Sequence, residues 1–147
     1  MAPGFLHLPP MSNAPEQFKI RKDSPLDWLG VGRSAIVVDS HVVRLRVGCS
    51  FATSVPRRAI QSAVTVSSVR EAGHARGTRG VHGRKGNWLI NGSNHGLVSL
   101  AIDPAAKARV FGLPVRLRRL TVSVDEPQAF INALRNGAAG TQGREVA

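Results

Sequence analysis

Hydrophobic and polar positions alternate with a period of two through the middle of the chain. Val43, Leu45 and Val47 are separated by Arg44 and Arg46, the pattern of a strand with one apolar and one basic face. A β-branched run, Ser34–Val38, precedes it, and Asp39-Ser40-His41 supplies turn chemistry between the two. Further strands are predicted at Phe51–Val55, stopped by Pro56, and at Gln61–Ser67, with Val64 and Val66 on one face and Ala63 on the other. The span 42–67 therefore reads as a meander with short connections.

Residues 70–86 break the pattern, and Gly73, Gly77, Gly80, Gly83 and Gly86 make them a long flexible loop. Asn87–Ile90 restarts the sheet. Asn91–Gly96 is rich in residues that tolerate positive φ and predicts a hairpin, with Leu97–Ile102 pairing back. Asp103-Pro104 ends that strand, and Ala105–Phe111 fits either a short helical turn or an irregular segment. Leu120, Val122 and Val124 form the last strand. A helix follows over about 126–136: Asp125 can cap it, Gln128 completes a capping-box spacing, Pro127 stands in the first turn and Asn136-Gly137 fits the end. The predicted core is Val43, Leu45, Val47, Val64, Val66, Leu89, Val98, Leu100, Val122, Phe130 and Leu134, with Arg44, Arg46 and Ser99 facing outward.

The fold class these elements imply is mainly β. About seven short antiparallel strands form a curved sheet or partly open barrel, with one C-terminal α-helix closing it. Residues 1–32, broken by five prolines, read as an irregular N-terminal arm from which Phe18, Ile20, Leu26, Trp28 and Leu29 dock on the core. Residues 33–136 form the domain and 137–147 a flexible tail. Met11 offers an alternative start, and residues 1–10 are expected to be dispensable. The strand order from Ser34 to Val124 with its final helix, and the ending LTVSVDEPQAFINAL (Leu120–Leu134), resemble the bacterial pleckstrin-homology-like domains. The segment VHGRKGNWLING is similar to uncharacterised actinobacterial proteins. The resemblance covers about residues 33–136 and implies a barrel that hosts lipid, peptide or oligomer contacts.

Charge sharpens the picture. The 147 residues hold 20 Lys+Arg against 9 Asp+Glu, a net +11. Arginine supplies 16 of the 20, which GC-rich codon usage alone would favour in a chain rich in Gly, Ala and Pro. Its placement is uneven, however: Val69–Arg119 holds ten basic and two acidic residues, so that stretch carries +8 of the +11. An excess of this kind points to nucleic acid, a phospholipid surface or an acidic protein. Within it, Gly77, Gly80, Gly83 and Gly86 recur every three residues among Arg76, Arg79, Arg84 and Lys85. Glycine lets backbone N–H groups approach an anion, and arginine grips phosphate oxygens in pairs. These four residues, with Arg116, Arg118 and Arg119, are the candidate binding residues.

Catalytic patterns are missing from the chain. Gly83-Arg84-Lys85-Gly86 lacks the Ser/Thr of a phosphate-binding P-loop, and Gly92-Ser93-Asn94-His95-Gly96 misplaces the serine of a nucleophile elbow. Asp39, Asp103 and Asp125 stand at turns, where capping explains them. His74, His82 and His95 have no metal-ligand spacing, and Cys49, the single cysteine, reads as a small buried residue. No cofactor, metal or catalytic residue is expected. No apolar run approaches the ~18 residues of a membrane span, and the first ten residues lack the pattern of a secretory signal. The expectation is a cytoplasmic, non-catalytic binding module, peripheral to the inner membrane face if its partner is lipid. Its basic face would contact an anionic membrane surface or an acidic protein. The alternative is nonspecific nucleic-acid binding through the Gly/Arg loop 73–86. A homo-oligomer is compatible with either.

Overall fold

The computed structural model describes residues 15–21, 34–48, 50–74, 80–93 and 95–146, with backbone alone at 80, 84 and 137–146. Among them the order is β1 (Glu16–Phe18), β2 (Ser34–Val38), β3 (Val42–Val47), β4 (Phe51–Pro56), a 3-10 turn (Arg57–Ala59), β5 (Ile60–Val66), β6 (Gly80–Arg84), β7 (Asn87–Asn91), β8 (Leu97–Val110), β9 (Leu113–Ser123) and α1 (Pro127–Val146). The chain is mainly β, one curved sheet that does not close into a barrel, with one helix near the C-terminus. The strands run in the order β1-β2-β3-β4-β8-β9-β7-β6, and β5 pairs with β8 beside that path. Among the described residues nine strands stand where about seven are expected, because β1 and β6 arise in segments without apolar periodicity.

The pairing differs from the sequence expectation at three places. β2, β3 and β4 form an antiparallel meander, with Asp39 Oδ1 accepting from the His41 N–H in the first turn. The 3-10 turn then carries β5 away from β4, onto the first half of β8. β7 and β8 do not form a hairpin: β9 lies between them and runs parallel to β7. The Ser123 hydroxyl holds that crossing, accepting from the Gly92 N–H at 3.1 Å and donating to the Arg21 carbonyl at 2.8 Å. Finally, Asp103-Pro104 does not end β8. A register shift lies between Ala101 and Ala106, so β8 carries extra residues there and resumes pairing beyond them. Proline cannot donate to a ladder, and a bulge removes that rung.

The main core lies between the inner sheet face and α1. Phe18 and Ile20 join it from the N-terminal arm, as expected, and the Phe18 and Phe130 rings meet edge-to-face at 5.3 Å. Leu26, Trp28, Leu29, Cys49, Met11 and residues 1–10 lie outside the described residues. Most predicted core residues are buried, but Val64 is 47% exposed and Ala63 packs inward in its place. The register shift between Ile60 and Ser62 turns β5 over, and a one-residue slip exchanges the two faces of a strand. Val66 and Leu89 join Val69 and Leu97 in a second cluster, apart from the main core. Ser99 is buried rather than exposed, hydrogen-bonded to Thr121 at 3.4 Å.

The helix begins and ends later than the sequence indicates. The Glu126 carbonyl accepts the bond from the Phe130 N–H, so Glu126 is the cap and Pro127 the first helical residue, where a missing N–H costs nothing. The Asp125 N–H bonds back to the Lys19 carbonyl instead. The helical backbone continues past Asn136-Gly137 to Val146. Glycine costs a helix about 1 kcal/mol without stopping it, and Ala138-Ala139 favours continuation.

One buried-side arginine ties three elements together. Arg57 donates through Nη1 to the Asp39 carbonyl at 2.7 Å, and through Nη2 to the Ala133 and Leu134 carbonyls at 2.6 and 2.8 Å. Burial lowers its pKa from the ordinary guanidinium value, opposed by the charges of Glu16 and Asp39. Arg57→Ala is expected to lower the unfolding free energy by about 2–3 kcal/mol, since bonds to a charged donor are the stronger class. Arg57→Lys should restore only part, because an ammonium lacks the planar fork. Urea titration measures both, and an unchanged midpoint for Arg57→Ala would show that the clamp contributes nothing.

Candidate functional site

The hairpin of β8 and β9 sorts its residues by alternation. Ala106 and Ala108 face the core, while Lys107 and Arg109 are exposed. On β9, Leu117 is buried and Arg116 exposed. Strict alternation would next turn Arg119 inward. Instead the N–H groups of Arg118 and Arg119 both bond the Gly86 carbonyl, at 2.8 and 3.0 Å, which marks a bulge. Leu117 and Leu120 are thus both buried, and the two arginines between them both stay exposed.

Register then assembles the basic face. Lys107 stands directly opposite Arg116, and Arg109 lies between Ala52 on one side and Pro114 on the other. With Arg44 they line an open depression of about 880 Å³, together with Ala52, Thr53, Ser54, Ala108, Pro114 and Val115. A smaller depression of about 430 Å³ adjoins it through Val115 and Arg116, and adds Lys85, Gly86, Trp88 and Arg118. Neither lining contains a carboxylate, a histidine or a cysteine. The nearby carboxylate is Asp39, 3.9 Å from Arg44. Its pKa lies below the ordinary 3.8, first through the His41 N–H bond, with Arg44 assisting against a desolvation cost. The face therefore offers positive charge and N–H donors, which suits binding an anion.

The candidate residues from the sequence divide. Lys85, Arg116 and Arg118 come together at the smaller depression. Arg119 turns away from it, its Nη1 donating to the Ser99 hydroxyl at 3.2 Å. Arg84 lies in β6, and Arg76 and Arg79 lie outside the described residues. The long loop 70–86 is not one loop. Its last five residues before the turn are β6, and Lys85-Gly86 is a two-residue hairpin with φ 53° and 86°. Gly83 is needed because a Cβ there would collide with the Trp88 indole, its cross-strand partner. Arg44, Lys107 and Arg109 were missed as site residues. Their signal was the alternation Lys107-Ala108-Arg109 facing Val115-Arg116-Leu117 across Phe111-Gly112.

The first part of that segment carries a pH-sensitive contact. His74 Nε2–H donates to Asn87 Oδ1 at 3.2 Å, while Asn87 Nδ2 donates to the Ala72 carbonyl. Burial pushes the His74 imidazole below the ordinary 6.5, opposed by the Asn87 bond and assisted by His82. The unfolded chain thus takes up a proton before the folded one. Stability is complete above the unfolded value, declines as the pH falls through it, and levels off below the folded pKa. Thermal melts from neutral to mildly acidic pH should show this decline, and His74→Gln should flatten it. An equal slope in the variant would assign the decline to other groups.

No helix among the described residues is long and apolar enough to cross a membrane. No protein-family model matches the chain, and no curated protein or solved structure matches it.

Proposed function

We propose that this chain is a non-catalytic binding module whose basic sheet face docks against an anionic phospholipid surface. One observation carries the reading: Lys107 and Arg116 stand directly opposite each other in the β8–β9 ladder, with no acid in the lining around them. Like charges in that position destabilise a sheet, and an external anion removes the repulsion. Arg109, Arg44, Lys85 and Arg118 extend the same field over both depressions. Nucleic acid fits this surface less well. β4 pairs with β8 as far as Val110, so only the turn of the hairpin projects, too little to run along a groove. Trp88 is half-buried, and among the described residues Phe111 is the one largely exposed aromatic, a single ring rather than a platform for successive stacked bases.

The test compares the full chain on neutral and phosphatidylglycerol-containing vesicles, on heparin and on random-sequence DNA, at low and high salt. Binding that requires the anionic lipid and weakens with salt supports the reading. Tighter binding to DNA than to vesicles would transfer the face to nucleic acid, and no binding to any polyanion would end the proposal.

A further inference from the structure

The turn between β8 and β9 places an apolar aromatic where the local rules disfavour it. Val110 pairs with Leu113, so the turn is Phe111-Gly112, with φ 49° and 81°. Positive φ at both positions is the type I′ geometry, which prefers Asn-Gly. A phenylalanine there is strained, because its Cβ crowds the backbone in the left-handed region. The fold leaves the residue largely in solvent: Phe111 is 67% exposed, and its neighbour Leu113 is 68% exposed. Strain at an exposed apolar position is the kind of outlier from which a functional role is argued.

The ladder orders the charge behind this tip. Arg109 follows two residues back and faces Pro114, and Lys107 faces Arg116 two residues further. At about 3.4 Å per residue these levels lie about 7 and 14 Å from the turn along β8. Apolar elements bound to a bilayer interface sit about 5–10 Å into the headgroup–acyl boundary. A tip at that depth holds Arg109 among the phosphates, with Lys107 and Arg116 in the field just outside.

The geometry points to the β8–β9 turn as an apolar wedge that inserts into the interface of an anionic bilayer, with Phe111 and Leu113 entering and Arg109, Lys107 and Arg116 meeting the headgroups. This rests on the basic face being an anion-binding surface, and adds what makes its attachment stable. Scattered basic residues give weak, salt-sensitive attraction, and firm attachment takes a second signal.

The variant F111N/L113S separates the two. Asparagine-glycine is the preferred pair for this turn, so the variant should melt no lower than the parent. It should bind phosphatidylglycerol-containing vesicles at least about tenfold more weakly, since burying one such side chain corresponds to roughly that factor. Heparin binding should be unchanged. A tryptophan placed by F111W should be quenched by brominated acyl chains beyond the parent's own signal. Vesicle binding by F111N/L113S equal to the parent's, or no added quenching in F111W, overturns the wedge and leaves the basic face standing. A parent that binds heparin but no vesicle also overturns the wedge alone, and a parent that binds neither overturns both.

Discussion

Phe130→Ala is expected to lower the unfolding free energy by about 3–5 kcal/mol, the range for truncating a buried aromatic. Phe130 is 1% exposed, in the first turn of α1, and its ring meets Phe18 of β1 edge-to-face. Truncation therefore opens a cavity between the helix, the sheet and the N-terminal arm together. The helix has little stability of its own, since Gly137, Gly140 and Gly143 each weaken it, so its attachment depends on Phe130, Ile131 and Leu134. A double-mutant cycle with Phe18→Ala should return a coupling of about 0.5–1.5 kcal/mol for the ring pair. Urea unfolding measures all three variants. A loss below about 1 kcal/mol for Phe130→Ala would remove the helix from the cooperative core.

Lys107→Glu with Arg109→Glu should move stability and binding in opposite directions. Each basic residue at an anionic leaflet contributes about 1 kcal/mol, so removing two costs about 30-fold in affinity, and reversing their sign extends that toward 10³. The fold should not suffer, because both side chains are exposed. Lys107→Glu also turns a like-charged cross-strand pair with Arg116 into an opposite-charged one, worth roughly 0.2–1 kcal/mol. Vesicle cosedimentation and thermal melts on the same preparation read both effects. Retained vesicle binding would move the contact elsewhere on the chain. A lower melting temperature would show that the two cations support the sheet itself.

On the face carried by the β8–β9 hairpin, local preference and observed structure disagree. Phe111 occupies a turn position suited to asparagine, and Lys107 opposes Arg116. Natural sequences agree with themselves at most levels, and disagreements collect at functional or strained positions.

Local patterns in the sequence determined most of the strands and which way their side chains face. The alternation from Val43 to Val47 is one case, with its arginines exposed and its valines and leucine buried. The apolar face of α1 at Phe130, Ile131 and Leu134 is another, as are the turn at Asp39-Ser40-His41 and the excess of charge between Val69 and Arg119. Each depends on interactions between residues a few positions apart, which spacing alone expresses. Only the tertiary structure decided that β9 slips between β7 and β8, that β5 turns over, and that β8 resumes after Asp103-Pro104. The basic site belongs to this second group. Arg44, Lys107 and Arg116 are brought to one depression by strand pairing, while the described part of the glycine-rich segment contributes Lys85 and Gly86 to the smaller one. Period-two patterns specify faces but not neighbours, and neighbours are chosen by the burial of whole strands against one another.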